Sequence, residues 1–282
     1  MAHILNGKEV RDIIRNDLKE QVAHFATKPT LAIIQVGDRP DSNVYIRQKK
    51  LFAEAIGAKV IHNVFPETVT QEELVSTIEL YNQDISVHGI LLQLPFPQHL
   101  NKEDLLEKIV AVKDVDGLTA ANIKALFDET GRGHIAATAR GIISLLDFAK
   151  IDLKGKNVVM IGRSSLVGKP TALACMHRDA TVTIAHKHTQ ELEKITQNAD
   201  IIIVAIGDPE FITQKYVRQG QIVIDVGINE IERDGKQKLV GDVKFEEVEK
   251  MVDIITPVPG GVGPMTVASL FQNLIDAYTR LK

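Results

Sequence analysis

The chain has 282 residues, 44% hydrophobic and 25% charged, which is room for about two globular domains and excludes disorder, collagen and coiled coil as whole-chain descriptions. Lysine plus arginine number 33 against 37 for aspartate plus glutamate, a net charge of -4. No bulk attraction to nucleic acid or to an anionic membrane is expected. Cys175 is the single cysteine; it rules out an intrachain disulfide and a thiolate-rich metal cage and fits a reducing, cytoplasmic compartment.

The first residues reach charged side chains before an apolar core can form, so neither a secretory leader nor a membrane span is expected. Residues 8–25 place Val10, Ile13, Ile14, Leu18 and Val22 at the spacing of one helix face. An apolar run at 31–36, a helical pattern at 43–56, a β-rich segment at 59–64, a helix at 71–81 and a run at 89–94 follow. This alternation predicts an α/β unit with a largely parallel sheet. Between 115 and 141 the strong apolar runs stop and turn-prone residues gather, which marks the junction between domains.

A second alternation then begins, with a helix at 141–149, a strand at 158–161, a helix after Leu166, a strand at 181–185, a helix at 191–197 and strands at 201–206 and 222–226. Short Val and Ile runs separated by helices are what a doubly wound parallel sheet, covered on both faces, requires. Residues 264–281 carry Pro264 near the start and Val267, Leu270, Phe271, Leu274 and Ile275 at helical spacing, so they read as a closing helix.

The sharpest local signal is the strand 158–161 running into Gly162-Arg163-Ser164 and then Gly168-Lys169-Pro170. Glycines admit close backbone approach, and a helix N-terminus offers N–H groups and a positive dipole end to phosphate. The turn is similar to a dinucleotide-binding one without being Gly-x-Gly-x-x-Gly. A P-loop fails, because Pro170 stands where a magnesium-holding Ser or Thr belongs; the plainer reading is an ordinary strand-to-helix turn. The next strand ends Ala185-His186-Lys187-His188 with no acid to hold a ribose hydroxyl, which favours NADP over NAD. His186 and His188 read as a solvated strand end, and no metal is assigned.

Tyr45 and Lys49 lie one helical turn apart on one face. Gln93 is a polar residue at the end of an apolar strand, where α/β sheets place ligand sites, and Asp114 and Asp116 precede the junction. Each has a plainer reading: a half-buried helix face, a satisfied core amide, a turn or an N-cap. The segment 256–266 holds three glycines and three prolines in eleven residues, a stiff loop expected to lie against a ligand rather than to serve as a linker, since only one helix follows it.

Tyr45-Ile-Arg-Gln-Lys49, Leu92-Gln93-Leu94-Pro95, Lys113-Asp-Val-Asp116-Gly-Leu-Thr119, Gly162-Arg-Ser164 with Val167-Gly168, and the Pro-Gly loop 256–266 occur in one order over essentially the whole chain. Together they closely resemble the bifunctional methylenetetrahydrofolate dehydrogenase/methenyltetrahydrofolate cyclohydrolase family. The resemblance implies a folate-binding catalytic domain at 1–120 with the closing helix 264–282 returning to it, a junction at 121–138, and a Rossmann-type NADP-binding domain at 139–263, with the folate cleft between them. It implies that Lys49 is catalytic, Tyr45 stacks on or orients the folate, Gln93 tunes Lys49, and Asp116 holds the pterin ring. Leu92, Leu94, Pro259 and Gly260 would line the substrate side, and Gly162, Arg163, Ser164, Lys187, Ile228, Gly263 and Thr266 the NADP side. Oxidation of the methylene bridge and hydrolysis of the methenyl product would share one cleft, in a cytoplasmic homodimer with tetrahydrofolate derivatives as partners.

Two departures stand out. The family's Pro-(Cys or Ala)-Thr-Pro-x-Gly is here Ala136-Ala-Thr138-Ala139-Arg140-Gly141, and its Cys-His-Ser is Ala185-His186-Lys187, so Lys187 would replace a serine by charge. The alternatives are another two-domain NADP-dependent dehydrogenase of the shikimate-dehydrogenase type and a non-catalytic NADP-binding module.

Overall fold

A computed structural model of the chain describes residues 2–233 and 235–282. The first half contains β1 (His3–Ile4), α1 (Gly7–Ala23), β2 (Thr30–Val36), α2 (Pro40–Ile56), β3 (Lys59–Phe65), α3 (Gln71–Gln83), β4 (Gly89–Gln93), α4 (Lys102–Glu107) and α5 (Ala120–Phe127). There follow α6 (Ala137–Phe148), β5 (Asn157–Ile161), α7 (Gly168–Met176), β6 (Thr181–Ala185), α8 (Leu192–Gln197), β7 (Ile201–Val204), β8 (Ile222–Asp225), β9 (Asn229–Arg233), β10 (Lys236–Val240), α9 (Phe245–Val248), β11 (Ile254–Ile255) and α10 (Val262–Arg280). Two compact units emerge: Asp12–Ala137 with Val267–Lys282, and the residues up to Arg11 with Thr138–Thr266.

The unit of residues 12–137 and 267–282 is built on a parallel sheet of order β3-β2-β4. β2 is buried along its whole length, which is why its sequence is a continuous apolar run. Helix boundaries follow from local chemistry. Thr70 and Glu73 form a reciprocal capping box on α3, whereas α2 starts at Pro40 and ends on Gly57 in the left-handed region, with φ 81°. Leu270, Phe271, Leu274 and Ile275 of α10 join Leu31, Ile33, Phe52 and Leu91 in one core, and Phe271 stacks on Phe52 with ring centroids 5.1 Å apart. The closing helix therefore returns to this unit, anchored further by Asn273, whose amide donates to the carbonyls of Val115 and Ile135.

The other unit carries a six-stranded sheet of order β1-β11-β8-β7-β5-β6, parallel throughout. β5 neighbours both β6 and β7, so the winding reverses there, and the strand ends at such a switch point are where α/β sheets hold ligands. Its core centres on Val159, Ile161, Ile202, Val204 and Val223. An antiparallel hairpin of β9 and β10 stands apart from this sheet.

Several elements depart from the sequence expectations. Ile13 is 43% exposed, so the buried face of α1 in the first unit is carried by Ile14, Leu18 and Val22. α2 begins at Pro40 rather than 43 because proline suits a first helical position. α6 begins at Ala137 rather than 141, since the alanines at 136 and 139 raise no bar to helix. Residues 121–138 hold most of α5, with Thr119 as N-cap. No helix among the described residues is long and apolar enough to cross a membrane.

Phe271 is fully buried. Phe271→Ala is expected to cost about 3–5 kcal/mol, read as a lower urea midpoint for loss of tertiary signal; an unchanged midpoint would contradict this packing.

Candidate active site

In the unit of residues 12–137 and 267–282, three of the expected side chains converge on the C-terminal end of β4. Lys49, on the third turn of α2, donates from Nζ to Gln93 Oε1 at 2.7 Å. The Gln93 amide is oriented by its own Nε2, which donates to the Leu94 carbonyl at 3.0 Å; its oxygen is thereby aimed at the amine. Asp116 reaches the same end because Ile90 and Asp114 pair in parallel. The chain turns directly after that bridge, Gly117 N donating to the Asp114 carbonyl at 3.1 Å, and the Asp116 carboxyl acts electrostatically on Lys49.

Burial dominates the electrostatics of the pair. It pushes the Lys49 amine down to about 8 against the opposing attraction of Asp116, and it pushes the Asp116 carboxyl up to about 6, with Lys49 opposing and Asp114 adding to the rise. The lysine is thus poised to lose a proton near neutral pH, a property suited to acid–base work. Tyr45 lies one turn before Lys49 and is 42% exposed.

The two acids of the Asp114/Asp116 pair divide into different roles. Asp114 is buried and accepts from Gly117 N, Thr119 N and the Asn122 amide, the turn-holding role of the plainer reading. Lys113 is only 4% exposed, and its Nζ donates to the carbonyls of Tyr81, Asn82 and Asp84 at the end of α3. Both residues hold the loop that presents Asp116. No apolar pattern marks Lys113, so the sequence reading missed its part. Leu92, expected on the substrate side, has its side chain in the core of this unit, and Leu94 is half-buried.

The other unit assembles the residues expected on the NADP side. Gly162 follows β5 with φ 124°, and a Cβ there would stand 2.2 Å from the Ala205 carbonyl oxygen. At Gly168 a Cβ would stand 2.3 Å from the Gly162 carbonyl oxygen, so both positions require glycine. Ser164 Oγ accepts from Val167 N and Gly168 N at the start of α7, which leaves its own hydroxyl proton to donate to an anion. Arg163, at the turn, and Lys187, just after β6, are exposed and supply positive charge. These features fit a dinucleotide phosphate site. Ile228 is exposed, and Gly263 faces it, with an added Cβ 3.4 Å from Ile228 Cδ1. Thr266 Oγ1 lies 3.4 Å from Thr138 Oγ1.

Pro259 and Gly260 also belong to this unit. The Gly260 carbonyl accepts from Gly7 N at 2.9 Å and Gly261 N donates to Pro257 O at 2.7 Å, so the Pro-Gly loop is stapled to the start of α1. His186 Nδ1 accepts from His188 N, and His186 N donates to Thr189 Oγ1, the bonds of a local turn. Among the described residues no group of three or more His, Cys, Asp or Glu side chains is arranged to hold a metal ion.

A buried carboxylate pair, unforeseen from the sequence, organises the loops at the ends of β7 and β8. Asp242 accepts from Ile206 N, Gly207 N and the Asn229 amide, while Asp225 accepts from Gly227 N, Asp242 N and Val243 N. The glycine before Asp242 was the available signal: a Cβ on Gly241 would fall 1.8 Å from Asp225 Oδ2.

Asp116→Asn removes a charge that supports the Lys49 ammonium, so the amine is expected to titrate below about 8. The pH dependence of its reductive methylation measures this, and an upward shift would contradict the geometry.

Residues 5–116 match the sequence profile of the tetrahydrofolate dehydrogenase/cyclohydrolase catalytic domain, and residues 136–282 that of the same family's NAD(P)-binding domain. A bifunctional protein FolD of Agathobacter rectalis is 44% identical over 284 residues, covering 99% of this chain and 100% of the relative. The solved bifunctional enzyme FolD-methylenetetrahydrofolate dehydrogenase/cyclohydrolase of Campylobacter jejuni is 42% identical, with a TM-score of 0.96 over 99% of each chain. The N5,N10-methylenetetrahydrofolate dehydrogenase-cyclohydrolase of Trypanosoma brucei, solved with NADP cofactor and inhibitor, is 34% identical with a TM-score of 0.94, covering 99% of this chain and 98% of that one. The chain belongs to the tetrahydrofolate dehydrogenase/cyclohydrolase family.

Proposed function

We propose that this chain oxidises 5,10-methylenetetrahydrofolate to the 5,10-methenyl cation with NADP and then hydrolyses that product to 10-formyltetrahydrofolate. The observation that carries the chemistry is the Lys49 amine, lowered to about 8 and held by Gln93 beside Asp116. Family membership sets aside the shikimate-dehydrogenase type of enzyme and the non-catalytic module.

The two steps ask different things of the protein. NADP supplies a hydride acceptor, and the oxidised carbon becomes a delocalised cation, so orientation and electrostatics suffice for this step. Gly162, Arg163, Ser164, Lys187, Ile228, Gly263 and Thr266 would hold the dinucleotide, while Tyr45, Leu94, Asp116, Pro259 and Gly260 would hold the folate. A carboxylate such as Asp116 suits the N–H donors of the pterin ring. Hydrolysis needs a water stripped of a proton. Gln93 Oε1 can only accept, so it takes one N–H of Lys49 and leaves the lone pair of the neutral amine for that water.

The sign of the pH dependence follows. The neutral amine predominates above about 8, so cyclohydrolase kcat/KM should climb about tenfold per pH unit below that value and level off above it. Dehydrogenase activity should show no such limb.

The reading also carries a homodimeric, cytoplasmic enzyme with tetrahydrofolate derivatives as partners and neither nucleic acid nor membrane. These expectations rest on the resemblance, the near-neutral charge and the single cysteine.

A spectroscopic assay of methenyl-folate formation with NADP, followed by its decay, tests the whole reading. Lys49→Gln should retain dehydrogenase and lose cyclohydrolase; unchanged cyclohydrolase would overturn the assignment of Lys49. Lys187→Thr should lower the ratio of NADP to NAD activity by about tenfold or more, the worth of a charged hydrogen bond, and an unaltered ratio would remove Lys187 from the 2′-phosphate.

A further inference from the structure

Beside the Lys49 helix runs a chain of five polar side chains that the proposed reaction does not use. Lys50 Nζ lies 2.9 Å from His62 Nδ1, and His62 Nε2 lies 2.8 Å from Gln35 Oε1. Gln35 Nε2 is 3.0 Å from both the Gly37 carbonyl and Asn43 Oδ1, and Asn43 Nδ2 is 2.6 Å from Asp38 Oδ1. The direction of every bond is forced from the two ends. A lysine ammonium only donates, so His62 Nδ1 must accept and its ring proton must sit on Nε2. That proton goes to Gln35 Oε1, the Gln35 amide donates to Asn43, and the Asn43 amide donates to a carboxylate that only accepts.

The middle of the chain is the part that matters for stability of the arrangement. Gln35 is 1% exposed, at the C-terminal end of β2 next to the turn that opens α2, and a buried amide left without partners is costly. The N-cap of α2, Arg39, makes no side-chain capping bond. The relay holds this end of the helix in another way, by tying the Asn43 side chain, in the first turn, to Gln35 of the sheet. His62 is held neutral by burial and by the neighbouring Lys50 charge, both of which lower its affinity for a proton, and only the neutral ring can accept from Lys50.

We propose that His62, acting through Gln35 and Asn43, is a positioning residue that fixes the first turns of α2 and so sets the placement of Tyr45. Tyr45 is two residues beyond the tethered Asn43, and a helix released at its N-terminus frays from that end first. The inference rests on the folate reading for its kinetic consequence, and on hydrogen-bond direction alone for its geometry.

Long-range ¹H–¹⁵N correlation of the histidine rings in the ligand-free, wild-type chain tests the geometry. A neutral His62 with its proton on Nε2 is expected, and a proton on Nδ1 would overturn the relay. His62→Phe should raise KM for methylenetetrahydrofolate about fivefold, the worth of one net hydrogen bond, with little change in kcat. His62→Gln, whose amide can accept from Lys50 and donate to Gln35, should recover most of it. An unchanged KM in His62→Phe, or no recovery in His62→Gln, would overturn the positioning role. Absence of turnover in the wild-type chain would instead defeat the folate reading, while the ring spectrum still judges the relay.

Discussion

An amine drawn out of water must find acceptors or surrender its proton, and Lys49 is placed under that constraint by the fold around it. The neutral amide of Gln93 accepts one N–H of Lys49, and among the described residues the counter-charge acting on the amine is that of Asp116, itself short of solvent. Neither group alone would leave the amine near its tipping point. A fully solvated carboxylate would hold the ammonium charged, and an amide alone would let burial discharge it. What surrounds them serves to keep that balance: Lys113 binds the end of α3 and Asp114 the turn beyond, which fixes the loop that carries Asp116.

A similar economy governs the other unit, where the constraint is backbone rather than side chain. Parallel strands end in loops whose N–H groups lose their sheet partners, and each must be met again. Asp225 and Asp242 meet six donors between them, five from the main chain and one from Asn229. Two buried carboxylates so close together are tolerable only because donors converge on both and because Gly227 and Gly241 leave room for them. The loops they fix lie beside the glycine turn at the ends of β5 and β7.

The parts of the structure legible in the sequence are those where burial writes a pattern. β2, β7 and β8 are apolar runs because both faces are covered, and α10 shows its buried stripe from Val267 to Ile275. The hairpin β9–β10 was invisible, since half of its residues are charged and all but Val240 lie outside the buried core. β1 is two exposed residues, too short for any period. In the candidate site, Gln93 shows as a polar residue at the end of an apolar strand, whereas Lys49 and Asp116 are ordinary by pattern and gain their roles from the motifs they share with the family. The Asp225–Asp242 pairing and the His62–Gln35–Asn43 relay did not, because each joins residues far apart in sequence that are ordinary where they stand.

The chain leaves and re-enters each unit. β1 extends the sheet formed by residues 157–255, while α10, at the other terminus, supplies core to residues 12–137. Each unit is therefore discontinuous in the gene, and no single cut yields either one whole. A fragment beginning at residue 138 would lack the strand that covers β11 and would carry Leu270, Phe271 and Leu274 with nothing to bury them. Synthesis must reach α10 before the core begun by the first hundred residues can close, whereas β1 is made early and waits for β11.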